Sequence, residues 1–355
     1  MTDSLVSVLI RSMGRPALEA ALASVARQTY PNVEVVVVAA SGNAHPALPD
    51  TCGRFALRLV GNGNPLPRAD AANFGLDAAR GLWCAFLDDD DFFNPDHISS
   101  LLATISGSAG ARLAYSGIRV VGADGAELGV IASPYDRLGL HERNHIQIGA
   151  ALFDHRLVAA GCRFDPATGA YDDWDFWLQC SEHTDFAFSN RTTTNWCSEA
   201  GTSGAGGGRN FDVDANESSY AAVRDKWAAV RKLLGERFGE IVQSGRDAQE
   251  RNEPQKAEQA YRSALRINGL HPDVLNLLAG LLHARQANSD AIGCLRLALW
   301  AHPERADIAC NLARIEMETG NQRAAAKLLE AVLRRDPANI DASALLARLS
   351  SQFIA

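Results

Sequence analysis

The chain has 355 residues, of which 47% are hydrophobic and 21% are charged, and its formal net charge is −8. This length allows two domains of ordinary size, and this composition is typical of a globular protein rather than a disordered one. The negative charge excludes a global basic field that would attract nucleic acid or anionic lipid. Any recognition of phosphate must therefore be local.

The seven cysteines are odd in number and show no C-x-x-C spacing, which argues against a disulfide framework and a structural zinc site. The apolar run at the N-terminus is too short for a signal peptide. No stretch reaches the ~20 apolar residues that cross a bilayer. These features predict a cytoplasmic protein with no transmembrane segment, and peripheral membrane contact through a partner stays open.

The first two-thirds of the chain alternate strand and helix signals. The signals predict strands at residues 5–10, 33–38, 55–60 and 83–87 and helices at residues 17–27 and 68–79. This order predicts an α/β fold with a doubly wound, mostly parallel sheet. Ligands bind such sheets at the carboxyl ends of the strands, here at residues 12–15, at residues 39–42 and after residue 87.

Later segments of this domain carry weaker signals. In chain order they predict a hairpin at residues 118–121 and 127–131, a strand at residues 148–153, a helix at residues 172–181 and a closing helix at residues 220–234.

After about residue 236 the strand signals vanish and a repeat with a period of 34 residues begins. Leu278-Ala279 recurs at positions 312–313 and 346–347. This pattern resembles tetratricopeptide repeats, in which small residues let paired helices pack closely. An unrelated antiparallel helical bundle is the alternative. The predicted domains are therefore residues 1–235 and a helical-repeat domain at residues 236–355.

Two details of the repeat need explanation. An earlier copy around Tyr261 fits the pattern with a small insertion before Pro272, and Pro303 recurs as Pro337. Glu316 stands where a large apolar residue is usual. The repeats are expected to bind a protein, to hold the acceptor or to mediate self-association.

Four consecutive aspartates follow the strand predicted at residues 83–87. Side chains alternate along an extended chain, so Asp88 and Asp90 would face the same side. Their repulsion in a cleft is relieved by a divalent cation, which binds one or two carboxylates and completes its shell with water and phosphate. The alternative is a solvated acidic loop that caps the next helix.

Together these residues resemble a family 2 glycosyltransferase with a GT-A fold. The resemblance covers residues 4 to 210 and rests on four motifs. They are the opening strand and first helix (Val6–Ile10, Gly14-Arg15-Pro16 and residues 24–31), residues 68–81, the acidic run, and the Asp-Asp-Trp segment at residues 171–178. Four motifs in one order are more specific than any one alone.

The resemblance implies an inverting, metal-dependent transfer of a sugar from a nucleotide sugar, such as a UDP-sugar, to a glycan, lipid-linked or protein acceptor. Manganese or magnesium would be held by Asp88, Asp90 and Asp91, and Asp173 would be the catalytic base, with Asp172 at the family's usual Glu. Together with the strand-end rule, the resemblance places the donor against Ser12, Arg15, Ala39, Arg68, Asn73, Asp88 and Asp89.

The chain departs from the family pattern at two places. The usual Asp-Asp-Gly-Ser after the second strand is replaced by residues 39–42, Ala-Ala-Ser-Gly, and the usual Pro-Thr-Tyr-Asn by residues 11–14, Arg-Ser-Met-Gly. Both changes touch the nucleotide pocket, so uracil is less firmly implied than the metal and the base.

Alternatives exist for the second acidic segment. Asp172 and Asp175 could form a capping arrangement at the start of a helix, which needs no catalysis. Trp177 is expected in the core, whereas Trp174 fits either the core or a sugar-stacking role. The lone histidines His145 and His183 are expected to be structural.

Other interpretations remain for larger segments. Residues 201–208 contain five glycines and precede Arg209, so they are either a lid over the donor phosphates or a tether. For the whole chain, the competing functions are a sugar-nucleotide-binding scaffold without turnover and a nucleotidyltransferase. The joint presence of Asp88, Asp90 and Asp173 argues against the scaffold, and the lack of a glycine-rich basic loop argues against the nucleotidyltransferase.

Overall fold

The computed structural model describes residues 4–122, 124–198 and 212–352, and the chain divides into two compact units. The first comprises Met1–Tyr135 and Leu140–Ala229, and the second comprises Asp136–Gly139 and Val230–Ala355. The boundary expected after residue 235 falls inside a helix, Ala228–Glu250, and it stays a prediction. Residues 201–208 and Arg209, interpreted from the sequence as either a lid or a tether, lie outside the described residues.

The strands of the first unit form one sheet. They are β1 (Val6–Ser12), β2 (Val33–Ala39), β3 (Thr51–Cys52), β4 (Phe55–Val60), β5 (Trp83–Asp88), β6 (Phe92–Phe93), β7 (Leu113–Val121), β8 (Glu127–Ile131), β9 (Ala151–Asp154) and β10 (Phe186–Cys197). Their order is β3-β4-β2-β1-β5-β9-β7-β10-β6, with β8 paired to β7.

The helices along the first part of the chain are α1 (Leu18–Ala26), α2 (Arg68–Ala78), α3 (His97–Ser106), α4 (Arg137–Glu142), α5 (Arg156–Ala159), α6 (Asp172–Ser181) and α7 (Val213–Lys226). The helices that follow are α8 (Ala228–Glu250), α9 (Pro254–Leu265), α10 (Pro272–Ala284), α11 (Asn288–Ala301), α12 (Ala306–Glu318), α13 (Gln322–Arg335) and α14 (Ile340–Gln352).

The centre of the sheet consists of parallel strands that are buried on both faces. β1 pairs with β2 and with β5 in parallel register, and every residue of β1 and β2 is buried. Each fully buried valine, leucine or isoleucine there contributes roughly 1.5–3 kcal/mol to stability. β9 runs antiparallel to both of its neighbours, β5 and β7. The predicted α/β fold with a mostly parallel sheet is confirmed.

Two predicted elements differ from the structure. Residues 148–150 form a 3₁₀ turn, and only Ala151–Asp154 form a strand. The closing helix predicted at residues 220–234 is wrong as a single element, because α7 ends before Trp227 and α8 begins after it. The Trp227 indole donates a 2.7 Å hydrogen bond to Asp175 Oδ1, a distant contact that the local pattern does not encode.

The helices of the second unit repeat with one spacing. α9, α11 and α13 begin at residues 254, 288 and 322, and α10, α12 and α14 begin at residues 272, 306 and 340. Each series therefore advances by 34 residues, which confirms the predicted all-α helical repeat. The predicted insertion is wrong: Pro272 occupies the first turn of α10, whereas Pro303 precedes α12, so the two prolines are not equivalent.

The end of α8 supplies a further copy of the series formed by α10, α12 and α14. Gly245 lies 34 residues before Ala279, and a Cβ atom at Gly245 would lie 2.5 Å from the Tyr261 ring. The missing side chain thus lets α8 pack against α9. At the mismatched position, buried Glu316 pairs with Arg296 at 2.7 Å, so a charge pair replaces the usual apolar contact.

In the described part of the chain, no helix has both the length and the apolar character needed to cross a membrane.

Candidate functional site

The candidate site lies at the carboxyl edge of the sheet, where β1 and β5 end side by side. Arg11 of β1 is the register partner of Asp88 of β5. The cleft between them measures about 120 Å³, less than the roughly 300–1,000 Å³ of typical ligand pockets. It is lined by Arg11, Met13, Arg15, Ala40, Leu66, Arg68, Ala71, Asp88, Asp89 and Asp90.

Two arginines join the acidic run to the first turn of α6. Arg11 Nη2 donates to Asp88 Oδ1 at 2.7 Å, and Arg11 Nη1 donates to Asp172 Oδ2 at 3.3 Å. Arg68 Nε donates to Asp172 Oδ1 at 3.0 Å, and its Nη2 lies 3.9 Å from Asp88 Oδ2. Charge-assisted hydrogen bonds between buried groups are strong and directional. This network therefore fixes the end of β5 relative to the start of α6.

The two outward-facing carboxylates of the run differ in ionisation. Burial opposes the ionisation of Asp88, yet the guanidinium groups of Arg11 and Arg68 hold the pKa of Asp88 below its usual value. Burial and the charge of Asp88 raise the pKa of Asp90, although Arg15 lies 3.3 Å from it. A cation between these two carboxylates would relieve their repulsion, so Asp88 and Asp90 are the members of the run that could hold one.

Asp89 connects the run to the residues that follow β1. Its Oδ2 accepts hydrogen bonds from Ser12 Oγ at 3.1 Å and from the Met13 backbone N–H at 3.0 Å, and its Oδ1 accepts from Arg15. Ser12 is buried and also lies 2.9 Å from His45 Nε2. Ser12 thus binds Asp89 without lining the cleft, whereas Arg15 and Asp89 both line it.

Asp91 lies apart from the cleft. Its Oδ2 accepts a 3.0 Å hydrogen bond from Gln147 Nε2, and its Oδ1 accepts a 2.8 Å bond from the Cys197 backbone N–H. Burial, followed by the charges of Asp88 and Asp90, raises the pKa of Asp91 well above its usual value. Within the three described ranges, no group of three or more histidine, cysteine or acidic residues is arranged to hold a metal ion. Asp91 as a metal ligand stays a prediction.

Asp173 stands on the first turn of α6 and has one oxygen without a hydrogen bond. Its Oδ1 accepts from the Trp174 backbone N–H at 2.7 Å and from Asn144 Nδ2 at 3.2 Å, whereas no described residue donates to Oδ2. Burial and the neighbouring charge of Asp172 raise the pKa of Asp173 to about 7, against the opposing effect of Arg68 and Arg11. A carboxylate with this pKa can accept a proton near neutral pH.

The alternative in which Asp172 and Asp175 cap the start of α6 is wrong. The residue that precedes α6 is Tyr171, which makes no side-chain cap, and Asp172 is already helical. The Asp172 carboxylate binds the two arginines instead. Asp175 contacts Trp227 and Lys226, at 2.7 Å and 2.9 Å. The acidic residues of the first turn therefore make tertiary contacts rather than a capping box.

The aromatic residues beside Asp173 belong to the core. Trp174 and Trp177 are both fully buried. Their indole N–H groups donate to the backbone carbonyls of Leu140 and Ile146, at 2.6 Å and 2.8 Å. The core role expected of Trp177 is found, and Trp174 has the same role, so its sugar-stacking alternative is wrong.

Besides Ser12, two further residues expected at the donor do not line the cleft. Ala39 ends β2, and the next residue, Ala40, lines the cleft in its place. Asn73 uses both ends of its amide on the Phe164 backbone, at 2.8 Å and 3.0 Å. Asn73 thus ties α2 to the segment before α6.

Sequence reasoning missed several residues of the site. Arg11 is the most important of them, and its place at the end of a buried strand was the available signal. Leu66 and Ala71 form an apolar wall with Ala40. Asn144 and Gln147 contact the two carboxylates from a loop and carry no recognisable motif.

Residues 7–127 match the sequence profile described as Glycosyl transferase family 2. This chain contains a glycosyl transferase family 2 domain. The matched part includes Arg11, Arg68 and the acidic run, and it ends before the segment that carries Asp173. The family match therefore covers the residues that line the cleft, and it does not reach α6.

Curated relatives of the family 2 domain match over short segments. The chain is 38% identical over 113 residues to "Succinoglycan biosynthesis protein ExoO" of Rhizobium meliloti strain 1021, which is 32% of this chain and 31% of that protein. It is 28% identical over 112 residues to an "Uncharacterized glycosyltransferase" of Haemophilus influenzae, which is 31% of this chain and 38% of that protein. The match thus spans about a third of each relative's length.

Among solved structures, that of S. aureus TarS 1–349 in complex with UDP-GlcNAc is similar at 13% sequence identity. The superposition covers 93% of this chain and 89% of that one, with a TM-score of 0.46. A likeness at this level carries no conclusion about ligands of this chain.

Proposed function

We propose that the chain is an inverting glycosyltransferase, which moves a sugar from a nucleoside diphosphate donor to an acceptor hydroxyl. One observation carries the proposal: Arg11 and Arg68 connect the acidic run to the helix turn that carries Asp173, so one network of ion pairs joins the candidate donor site to the candidate proton acceptor. UDP-sugars are the donors to test first.

The arginines supply the charge that a diphosphate needs. Arg11, Arg15 and Arg68 all line the cleft, and each is paired with an aspartate. The guanidinium group binds phosphate oxygens in the same forked geometry as carboxylate oxygens. On donor binding, the arginines would exchange part of their contacts with carboxylates for contacts with phosphate oxygens. This exchange would widen the cleft.

A divalent cation fits the same place. Asp88 and Asp90 offer the hard oxygen ligands that magnesium and manganese take, and both remain partly exposed at the cleft, with 21% and 10% of their side-chain surface accessible. When bound there, the cation would neutralise the negative charge of the leaving diphosphate. Asp91, whose carboxylate accepts hydrogen bonds from Gln147 and from the Cys197 backbone, would support the run from the side.

Asp173 is proposed as the base that removes the acceptor proton. Its Oδ1 is held by two donors, so Oδ2 is the atom that receives the proton as the hydroxyl oxygen attacks the anomeric carbon. The bond from that carbon to the diphosphate breaks in the same step, which inverts the configuration. Asp172 stays paired with its arginines and holds the turn in place.

The acceptor is inferred from the chemistry of the base, and the partners are inferred from the helical repeats. A sugar hydroxyl of a glycan, whether free, lipid-linked or on a protein, has the chemistry that the base requires. The helical repeats are proposed to bind a protein partner or a second copy of the chain, because stacked helical repeats present extended surfaces suited to such contacts.

The test is transfer by the full chain from a panel of UDP-sugars and GDP-mannose in the presence of Mn²⁺. Release of nucleoside diphosphate is measured for the native chain, for Asp173→Asn and for Asp185→Asn, which makes the same change at an exposed position. We expect turnover to fall by about 10³-fold in Asp173→Asn only. Native turnover in Asp173→Asn would refute this assignment of the base.

The same experiment separates the enzyme from the sugar-nucleotide-binding scaffold. A scaffold would bind a nucleotide sugar in calorimetry with no release of nucleoside diphosphate under any acceptor condition. An enzyme of the proposed kind keeps donor affinity in Asp173→Asn while it loses turnover, because only proton removal is affected.

A further inference from the structure

One short loop contacts both the acidic run and the helix turn that carries Asp173. We name residues 144–147 the bridging loop; it lies between α4 and the 3₁₀ turn Ile148–Ala150. Asn144, at its start, donates to Asp173 Oδ1 at 3.2 Å. Gln147, at its end, donates to Asp91 Oδ2 at 3.0 Å. The base and the acidic run are thus both bound by a single four-residue segment.

Both amides of the bridging loop have a fixed orientation. Asn144 Oδ1 accepts a 3.1 Å hydrogen bond from the Ile146 backbone N–H, and Gln147 Oε1 accepts a 2.9 Å bond from the Gly149 backbone N–H. In each case the carbonyl oxygen is occupied by a backbone donor two residues later. The NH₂ group is therefore left to face the carboxylate, and a rotation of the amide would break two hydrogen bonds.

The backbone of the bridging loop is also anchored. The Trp177 indole, on α6 with Asp173, donates to the Ile146 carbonyl at 2.8 Å. Next to the loop, Thr194 Oγ1 of β10 donates to the Gly149 carbonyl at 2.9 Å. Because both donors are buried, water competes little for these bonds. The loop is held by the same helix that carries the base.

We propose that the bridging loop sets the separation between base and donor site, with Asn144 as a positioning residue for Asp173 and Gln147 as a positioning residue for Asp91. The inference deepens the proposed function and rests on it. An amide donor stabilises the ionised form of a carboxylate. By occupying Oδ1, Asn144 also leaves Oδ2 as the atom that accepts the proton.

The charged and titratable groups around Asp173 set the background for a test. They are Arg11 of β1, Arg68 of α2, and Asp172 and Tyr171 beside it in the chain. None of these is altered by a change at Asn144. A shift in the ionisation of Asp173 on such a change would therefore report the loss of the amide.

The test compares Asn144→Leu with Gln147→Met, two changes that keep side-chain size and remove only the amide. The pKa of the Asp173 carboxyl is measured by ¹³C NMR in the full chain without substrate, with its signal identified by its absence in Asp173→Asn. We expect Asn144→Leu to raise this pKa by about one unit and Gln147→Met to leave it unchanged. Affinity for UDP with Mn²⁺ should fall about 10-fold in Gln147→Met and stay unchanged in Asn144→Leu.

The isosteric change Asn144→Asp guards against misfolding. It keeps the shape of the loop and places a like charge beside Asp173, so the pKa of Asp173 should rise further than in Asn144→Leu. An unchanged Asp173 pKa in both Asn144 variants, or equal shifts in the Asn144 and Gln147 variants, would overturn the inference. Because the NMR measurement needs no turnover, failure of the proposed function alone would leave these shifts in place.

Discussion

Replacement of Asp173 by asparagine should stabilise the native chain, and the gain should grow with pH. Asparagine has the shape of aspartate, and its Oδ1 can still accept from Trp174 and Asn144. The pKa of Asp173 is raised from 3.8 to about 7, a shift of about three units. At about 1.36 kcal/mol per unit, ionised Asp173 lowers the free energy of unfolding by on the order of 4 kcal/mol.

The pH dependence of this stability difference follows from proton binding by Asp173. Between pH 3.8 and about 7 the native chain keeps a proton on Asp173 that the unfolded chain has lost. Stability from this group therefore falls as pH rises through that window and is lowest above it. Because asparagine does not ionise, the free energy of unfolding of the variant does not fall in this window. At about pH 4 the two proteins should have similar stability, and at about pH 9 the variant should be more stable.

The assay is urea unfolding of the full chain at both pH values, followed by tryptophan fluorescence. Five of the six tryptophans, all except Trp300, belong to the first unit, and Trp83, Trp174 and Trp177 are buried there. The signal therefore reports mainly that unit. Asp185→Asn is the control for removing one negative charge at an exposed site. A gain that is equal at the two pH values, or a variant less stable than the native chain at about pH 9, would refute the burial argument.

Further predictions concern other parts of the molecule. The acid limb of kcat/KM should have its midpoint near the base's pKa of about 7, with activity rising as pH rises; a midpoint near 4 would contradict the raised pKa. Arg11→Met should lower the free energy of unfolding by about 3 kcal/mol in urea titrations, because Asp172 loses a buried partner; an unchanged midpoint would show that Arg68 alone suffices. Asp90→Asn should abolish the Mn²⁺-dependent part of UDP binding in calorimetry, and equal affinities with and without chelator in the native chain would exclude the cation. Gly245→Val should lower the melting temperature of the repeats in circular dichroism through a clash, while Gly239→Ala on the same helix, with open space around it, should raise stability by about 0.5–1 kcal/mol.

The fold was predictable where burial and periodicity agree. The strand predicted at residues 55–60 and the helix predicted at residues 172–181 have the bounds found in the structure. Parallel strands buried on both faces give continuous apolar runs in the sequence. The 34-residue repeat in the sequence requires helices that recur at the same spacing. The break at Trp227 could not be predicted, because its cause is a hydrogen bond to Asp175, far away in the chain.

The candidate site was predictable only where strand ends and motifs mark it. Arg68 and the first three aspartates of the acidic run line the cleft as expected, whereas Asp91 and Asn73 do not. Asn73 follows Arg68 by five residues on α2, which turns its side chain about 140° away from that of Arg68, and this geometry could have excluded it. Asn144 and Gln147 had no local signal, since their partners are 29 and 56 residues distant.

The constant helix spacing of the second unit allows its length to change in whole steps. Deletion of residues 272–305 would join residue 271 to residue 306, and α12 would then occupy the place of α10 after α9. Small residues stand at the same repeat position in four copies, as Gly245, Ala279, Ala313 and Ala347, so the new junction would meet a similar packing surface. Gain or loss of a module by recombination could thus lengthen or shorten the array while its remaining interfaces persist.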